Sequence, residues 1–382
     1  MILKEKQKMD RNRNIDLLKG IAILMIMICH ASQVIPGINV SIVRLCGLGQ
    51  LGCQMFFVAS GYLMCHSADK KKGIFKSDFK KKFLGERGKS VGILLPWYFS
   101  ILIYYCLTTL IITRQIQIPF LTNTNRNAIF VNLLFLNGLV SFANNNVVLG
   151  GWYIGTLVIM WLVFPLLYHL QEHNKKIHII LIGGCITSMY LLGRWKGFEA
   201  VGNNTFFYFS AISQLPCLAC GMEIYFRRKR EIVEKSILTN MMIIVIYGIM
   251  TMILFFSNQP FAFCFVPLAI SIAWGALLEI GLDYPFHIKY TMLERGIDGI
   301  CWMGRNSLYL YLTHVYAVYY IQWILYKKFS EYLSSTVLFA VLLPVCIGVA
   351  IGFSFIFSKV VSKCRKVWSS LIIVFCKYFL EK

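Results

Sequence analysis

Charged residues are scarce in this sequence. Only 14% of its 382 residues are charged while 58% are hydrophobic, and acidic side chains are the rarer kind, with 17 Asp and Glu against 38 Lys and Arg. This composition excludes a soluble protein of this size, which would need more polar surface. About ten segments have the roughly 18 mostly apolar residues that cross a bilayer. The sequence therefore predicts an all-α, polytopic integral membrane helix bundle.

Several motifs of other enzyme classes are missing. The sequence has no glycine-rich phosphate-binding loop, no His-Glu-x-x-His motif and no internal repeat. These absences argue against a nucleotide hydrolase, a zinc hydrolase and a transporter built from inverted repeats. Most of the thirteen cysteines lie in apolar segments, where a free thiol behaves as a small hydrophobic group. We therefore predict no metal site.

The chain is predicted to form one membrane domain, residues 1–382, with no separate soluble domain. Its ten predicted spans are 20–37, 46–65, 91–113, 152–169, 178–193, 203–225, 237–256, 261–281, 305–326 and 336–358. The segment 127–143 is also apolar, but Asn132, Asn137 and Gly138 interrupt it. We expect that segment to be interfacial or re-entrant.

The basic residues form clusters, and a topology with ten spans places these clusters on one side of the membrane. The clusters lie in the tail 1–19, in the loop 66–90 and at 227–230. By the positive-inside rule, both termini are then cytoplasmic, 114–151 is external and 363–382 lies along the cytoplasmic face. Contact with anionic lipid accounts for the net charge of +21 without a nucleic acid partner. A bacterial cytoplasmic membrane is the predicted location.

The first span carries ionisable residues on one face. Lys19 and His30 are eleven residues apart, which returns to within about 20° of the same helix face, roughly 16 Å further along the axis. Asp16 belongs to the same stripe. An ionisable group near the middle of a bilayer is a functional candidate by default. His30 either acts as a general acid or base, or only bonds a neighbouring helix.

The ninth span carries a second histidine. Ser307 and His314 are seven residues apart and face the same way, and the predicted depth of His314 is close to that of His30. Two imidazoles at similar depth would border one cavity if their helices meet. Asn306 and Tyr311 accompany them. For His314, a packing role and a catalytic role both remain open.

Other polar or aromatic residues admit two interpretations. Gln54 and Ser60 in the second span either pack helices or face a substrate. Trp152 and Tyr153 are either interface anchors or a surface that stacks a sugar. The asparagine-rich loop within 114–151 is either a plain surface loop or a platform for a polar acceptor.

These motifs together resemble the membrane acyltransferase 3 family. The opening motif is Asp16-x-x-Lys19-Gly20 with His30 eleven residues later, the second is the run Phe56-Phe57-Val-Ala-Ser-Gly-Tyr62, and the third is the run from Ser307 to His314. Their order and spacing extend over about 300 residues. The family's essential Arg and His in the first helix correspond to Lys19 and His30, so Lys stands where Arg is usual.

The resemblance implies an O-acyltransferase that moves an acyl group, often acetyl, from coenzyme A to a hydroxyl of an extracytoplasmic carbohydrate. His30, Lys19 and His314 are then the expected catalytic residues. Lys82, Arg87 and Lys89 would hold the phosphates of acyl-CoA. The expected substrate-binding residues are Asp16, Gln54, Ser60, Trp152, Tyr153, Asn306, Ser307 and Tyr311.

Two other functions fit the same polar stripes. The chain is alternatively an exporter of a polar glycan or lipid-linked sugar, with His30 relaying protons, or a non-catalytic membrane partner of polysaccharide synthesis. Dependence on coenzyme A separates the enzyme from both. The expected partners are the bilayer, an acyl-CoA donor and a carbohydrate acceptor, and the oligomeric state stays open.

Overall fold

The computed structural model of the chain describes residues 12–70, 95–107, 126–231, 236–257, 259–284 and 291–380, with side chains up to residue 365. Within those ranges the secondary structure is entirely helical and contains no strand. The predicted all-α class is therefore confirmed for the described residues.

Fifteen α-helices are labelled in chain order. They are α1 (Arg13–Val34), α2 (Val40–Gly47), α3 (Gly52–Lys70), α4 (Leu95–Leu107), α5 (Arg126–Leu133), α6 (Trp152–His173), α7 (Ile177–Lys196), α8 (Phe206–Phe209), α9 (Ala211–Lys229), α10 (Ile237–Phe256), α11 (Val266–Asp283), α12 (Thr291–Arg305), α13 (Ser307–Val315), α14 (Gln322–Phe329) and α15 (Ser335–Leu380). A π-helix, Tyr316–Ile321, joins α13 to α14. Short 3₁₀ helices cover Leu48–Leu51, Leu136–Gly138, Ser141–Ala143, Phe198–Val201 and Pro260–Cys264.

Seven helical segments of the described chain are long and apolar enough to cross a membrane. They are Arg13–Val34, Val40–Asp69, Trp152–His173, Ile177–Lys196, Ile237–Phe256, Val266–Asp283 and Ser335–Arg365. The pair Phe198–Phe209 and Ala211–Lys229, bent by 62°, makes eight if it is one span. The predicted count of ten is not confirmed. The π-helix interrupts the predicted ninth span, and α4 is a shorter apolar helix.

The first helix begins seven residues earlier than the predicted span 20–37. The side chain of Asn12 caps it by accepting hydrogen bonds from the backbone N–H groups of Asn14 and Ile15. Arg13 bridges to Glu294 (2.7 Å) and Asp298 (2.9 Å) on α12. Hydropathy places the start of a span after the charged residues that precede it. A helix can begin among those charged residues when a capping side chain and ion pairs stabilise its first turn.

Helix α12 is a tight partner of α1. A glycine lies at each of the two points where the helices cross. A Cβ on Gly20 would collide with the carbonyl oxygen of Ile300, and a Cβ on Gly304 would collide with the carbonyl oxygen of Asp16. The two backbones therefore approach as closely as small residues allow. The first half of α1 therefore packs closely against α12, which is an amphipathic helix.

A reciprocal glycine crossing joins α3 to α9. A Cβ on Gly61 would collide with the carbonyl oxygen of Leu218, and one on Gly221 with that of Val58. Each helix thus uses its own glycine to admit the backbone of the other. The crossing fixes the second predicted motif, which contains Gly61, at the centre of the bundle.

Polar contacts tie several helix ends together at the end of the bundle where α1 starts. Asn14 donates to the carbonyl oxygen of Gly281 (2.7 Å), Arg228 pairs with Asp283, and Lys229 pairs with Asp69. The start of α1 and the ends of α3, α9 and α11 therefore share one side. The assignment of that side to the cytoplasm stays a prediction.

The segment 126–151 folds into short helices rather than a span. Three of its asparagines are buried and hold backbone carbonyl oxygens: Asn132 donates to Ala143 (2.9 Å), Asn137 to Gly151 (2.9 Å) and Asn144 to Asn137 (2.9 Å). These bonds replace the water that loop carbonyls would otherwise need. The segment is therefore a packed cap against the start of α6.

Candidate functional site

Two imidazole rings from distant parts of the sequence stack on each other. His30 on α1 and His314 on α13 have ring centroids 5.4 Å apart and ring planes inclined by 29°. His314 is fully buried, whereas His30 is only partly buried. Because α1 runs from Arg13 to Val34, His30 lies about one turn from the end of the helix and not at its middle, where the predicted span 20–37 placed it.

A phenol and a carboxamide surround one nitrogen of His30. Its Nδ1 lies 2.8 Å from Tyr319 Oη and 3.2 Å from Gln33 Oε1, and the hydroxyl of Tyr319 is itself 3.3 Å from Gln33 Oε1. Contacts from two directions restrict rotation of the imidazole. With Nδ1 engaged, Nε2 is the nitrogen left to exchange a proton with a substrate.

The π-helix brings Tyr319 to this position. In a regular α-helix, residues 314 and 319 would be about 140° apart around the axis. The wider turn of Tyr316–Ile321 reduces that offset, and single π turns are frequent at functional sites. Sequence reasoning missed Tyr319 because it assumed a uniform helical period. Gln33 was missed too, although its spacing of three residues from His30 is a signal of shared face.

The surroundings of His314 fix its tautomer. Nδ1 lies 2.7 Å from the carbonyl oxygen of Tyr311 and 3.2 Å from that of Leu310. A carbonyl oxygen only accepts, so Nδ1 carries the proton. The neutral ring then presents an unprotonated Nε2, which is buried and has no hydrogen-bond partner among the described residues.

Tyr311 connects the imidazole pair to the cap formed by segment 126–151. Its ring lies 5.7 Å from that of His314 and 5.0 Å from that of Tyr153, and its hydroxyl donates to the carbonyl oxygen of Gly150 (2.7 Å). Gly150 has φ +80°, a conformation that favours glycine. Of the predicted substrate-binding residues, Tyr311 thus adjoins His314, and Tyr153 lies against Tyr311.

Three other predicted substrate residues belong to a neighbouring cluster. Gln54 donates to Gln214 Oε1 (3.0 Å), and the ring of Trp152 stacks on that of Phe209 with centroids 4.4 Å apart. Ser60 lies beside Tyr153. The side chain of Trp152 is only 7% exposed, so it packs inside the bundle. Its predicted role as a sugar-stacking surface stays a prediction.

The remaining predicted residues lie toward the start of α1. Asp16 is buried where α12 crosses α1, and Lys19 is partly buried one turn further on. Asn306 donates to the carbonyl oxygen of Trp302 (2.9 Å), and the buried Ser307 is the first residue of α13. The structure therefore does not bring these four together with the imidazole pair.

The predicted phosphate-binding residues Lys82, Arg87 and Lys89 lie outside the described residues. Within the described ranges, no group of three or more His, Cys, Asp or Glu side chains is placed to hold a metal ion.

A surface cavity of about 540 Å³ lies at the end of the bundle where α1 finishes. Gln33 lines it and also contacts His30. The remaining walls come from α2, from the 3₁₀ turn after it, from the loop after α7, from the end of α10 and from the 3₁₀ helix Pro260–Cys264. Sequence reasoning did not predict this cavity.

Comparison with protein families gives one match that covers most of the chain. A family model described as an acyltransferase domain, of the acyltransferase 3 type, matches residues 12–359. No curated protein and no solved structure matches the chain. The matched region contains every described residue of the site.

Proposed function

Because the chain belongs to the acyltransferase 3 family, we propose that it is a membrane O-acyltransferase that uses an acyl-CoA donor. Acetyl-CoA is the proposed donor, and a hydroxyl of an extracytoplasmic carbohydrate is the proposed acceptor. The observation that carries the proposal is the stacked pair His30 and His314, because paired imidazoles near an open cavity supply the proton transfers that acyl transfer needs.

His30 is the proposed general base. It is partly exposed, and the contacts of its Nδ1 with Tyr319 and Gln33 leave Nε2 for the acceptor. The acceptor hydroxyl gives its proton to Nε2 while its oxygen bonds to the acyl carbon. The carbon–sulfur bond of the thioester then breaks, and the imidazolium returns the proton to the coenzyme A sulfur. Direct acyl transfer to His30 is the other route.

His314 is the proposed support for that base. Its stacked ring lies against His30, and its own Nδ1 proton is held by the carbonyl of Tyr311. Like charges at this separation repel, so protonation of one ring disfavours protonation of the other. The pair therefore accepts one proton at a time.

The donor is proposed to approach from the end of the bundle where α1 starts. Lys19 lies on α1 between that end and His30, and Lys82, Arg87 and Lys89 follow α3 in the sequence. Ammonium and guanidinium groups form charge-assisted hydrogen bonds with phosphates. The proposed path carries the thioester along α1 while the nucleotide stays with the basic loop.

Transfer of label from [¹⁴C]acetyl-CoA tests the proposal. Membranes from cells that express the protein should release coenzyme A and incorporate base-labile label, whereas membranes from empty cells should not. His30→Ala should lower incorporation by at least ~10²-fold, the usual contribution of a general base. An exporter would move substrate without consuming acetyl-CoA.

His173→Ala is the matched control, because His173 is exposed at the end of α6 and, within the part of the chain that the structure describes, its ring has polar or ring contacts only with His169. This variant should retain wild-type transfer. Wild-type transfer by a well-expressed His30→Ala variant would remove His30 from catalysis. No acetyl-CoA-dependent label in wild-type membranes would contradict the proposed donor.

A further inference from the structure

One side chain, Gln33, connects the surface cavity to His30. Gln33 Oε1 lies 3.2 Å from His30 Nδ1, and the same side chain forms part of the cavity wall. A molecule held in the cavity is therefore separated from His30 by one side chain. The cavity lies at the end of the bundle where α1 finishes, opposite the end from which acyl-CoA is proposed to approach.

Polar side chains of one kind line much of this cavity. Gln33, Gln50, Asn203 and Asn204 supply carboxamides from three separate segments of the chain. A carboxamide both donates and accepts hydrogen bonds, and so does a hydroxyl group. The lining therefore matches a ligand that carries several hydroxyl groups.

One of these carboxamides keeps its oxygen away from the cavity. Oδ1 of Asn203 is fully buried and has no partner among the described residues, so a molecule in the cavity does not reach it. The NH₂ end of the same group is the part left to donate a hydrogen bond to a hydroxyl group in the cavity.

The cavity also contains one charge of each sign and an aromatic wall. Arg44 and Glu199 both line it, and neither forms an ion pair within the described part of the chain. Phe255 and Phe263 supply apolar faces. A sugar ring presents hydroxyl groups at its edge and C–H groups on its faces, so it uses both kinds of lining.

We propose that this cavity binds a sugar residue of the acceptor and that one of its hydroxyl groups passes Gln33 to reach Nε2 of His30. The inference rests on the proposed acyl transfer and assigns its acceptor site. A volume of about 540 Å³ lies in the range of small-molecule sites. The site differs from the two acceptor surfaces predicted within 114–151 and at Trp152, where Asn132 and Asn137 hold backbone carbonyl oxygens and the indole is buried.

Filling the cavity tests the proposal without removing a polar group. Gly47 ends α2 and lines the cavity, and among the described residues a Cβ there would meet only Phe255, at 3.9 Å. Gly47→Leu should therefore fold and occupy the acceptor space. Gly183→Leu is the matched control, because Gly183 lies on α7 and no described atom comes within 4 Å of its added Cβ.

Two readouts separate donor binding from transfer. The first is binding of [¹⁴C]acetyl-CoA to detergent-purified full-length protein, and the second is base-labile label formed in native membranes that hold the resident acceptor. Gly47→Leu should bind acetyl-CoA as wild type does, and it should form at least tenfold less base-labile label. Gly183→Leu should keep both. Equal transfer by the two leucine variants would overturn the acceptor site.

Asn203→Leu gives an independent test, and Asn146→Leu is its control. Asn146 lies in the loop for which the sequence allows an acceptor platform, is exposed and, among the described residues, donates only to the carbonyl oxygen of Phe142. Asn203→Leu should lower transfer by about tenfold, the effect of losing one well-placed hydrogen bond, whereas Asn146→Leu should not. If Asn146→Leu lowers transfer and Asn203→Leu does not, the acceptor binds at the 114–151 loop instead. If wild-type membranes transfer no label, the proposed function fails, and with it the acceptor site.

Discussion

The carbonyl oxygen of Tyr311 accepts the Nδ1 proton of His314 at 2.7 Å, which leaves the other nitrogen of that ring unprotonated against His30. The bond spans three residues of one helix, so the helix itself selects the tautomer. The stacked neighbour of His30 is therefore a neutral base with a fixed orientation.

His314→Phe should separate the stacking role of His314 from its basic nitrogen. A phenyl ring keeps an aromatic face against His30 but has no Nε2, so we expect expression to be retained and kcat for acetyl transfer to fall by about tenfold to a hundredfold. The measurement is steady-state transfer from [¹⁴C]acetyl-CoA by purified protein. If this variant keeps the wild-type kcat, the basic nitrogen of His314 is not needed for transfer and the residue has only a packing role.

Tyr319→Phe should slow the reaction with little effect on donor binding. The hydroxyl lies 2.8 Å from His30 Nδ1, and its loss frees the imidazole to rotate. We expect kcat to fall by about tenfold and the KM for acetyl-CoA to stay within about twofold, because one orienting hydrogen bond is lost. Tyr332→Phe, at an exposed position, is the control. A raised KM with unchanged kcat would place Tyr319 on the donor path instead.

Lys19 should tolerate Arg but not Gln. Both basic residues keep the charge that the acyl-CoA path is proposed to use, and Arg is the residue implied by the family's first-helix motif. We expect Lys19→Gln to raise the KM for acetyl-CoA about tenfold through loss of a charge-assisted contact, and Lys19→Arg to keep it. Competition by free coenzyme A gives a second measure of the same binding. Equal KM values for wild type, Lys19→Gln and Lys19→Arg would show that Lys19 does not contribute to donor binding.

Gly221→Ala should destabilise the bundle. The added methyl group would collide with the carbonyl oxygen of Val58, so α3 and α9 must separate. We expect a loss of ~1–3 kcal/mol, the typical cost of overpacking a core. The measurement is the thermal midpoint of the monodisperse fraction in detergent. Gly184→Ala, with nothing within 4 Å, should not lower that midpoint.

The sequence was most informative where a motif occupies one regular helix. The order of the three motifs identified the family, which the match to residues 12–359 confirms. Similar predicted depths for His30 and His314 left open whether their helices meet, and the structure places the two rings 5.4 Å apart. Both inferences use only spacing along a helix, which a sequence contains.

Features that depend on contacts between segments were not predicted. Helix α12 has charged residues that hydropathy assigns to a loop, yet its ion pairs with Arg13 hold it against α1. Tyr319 reaches His30 only through a change of helical period. The cavity arises where three separate segments meet around Gln33, and no single segment carries its pattern.

The π-helix at Tyr316–Ile321 makes the length of this stretch as important as its composition. If all six residues were wound as an ordinary α-helix, everything that follows would turn by about 100°. The carboxamide of Gln322, which now donates to the carbonyl oxygen of Ala31 at 3.2 Å, would then point elsewhere. A one-residue deletion that restores α-helical winding should instead keep Gln322 in place and move Tyr319 away from His30, so a deletion scan that measures acetyl transfer would locate the register on which the neighbouring imidazole depends.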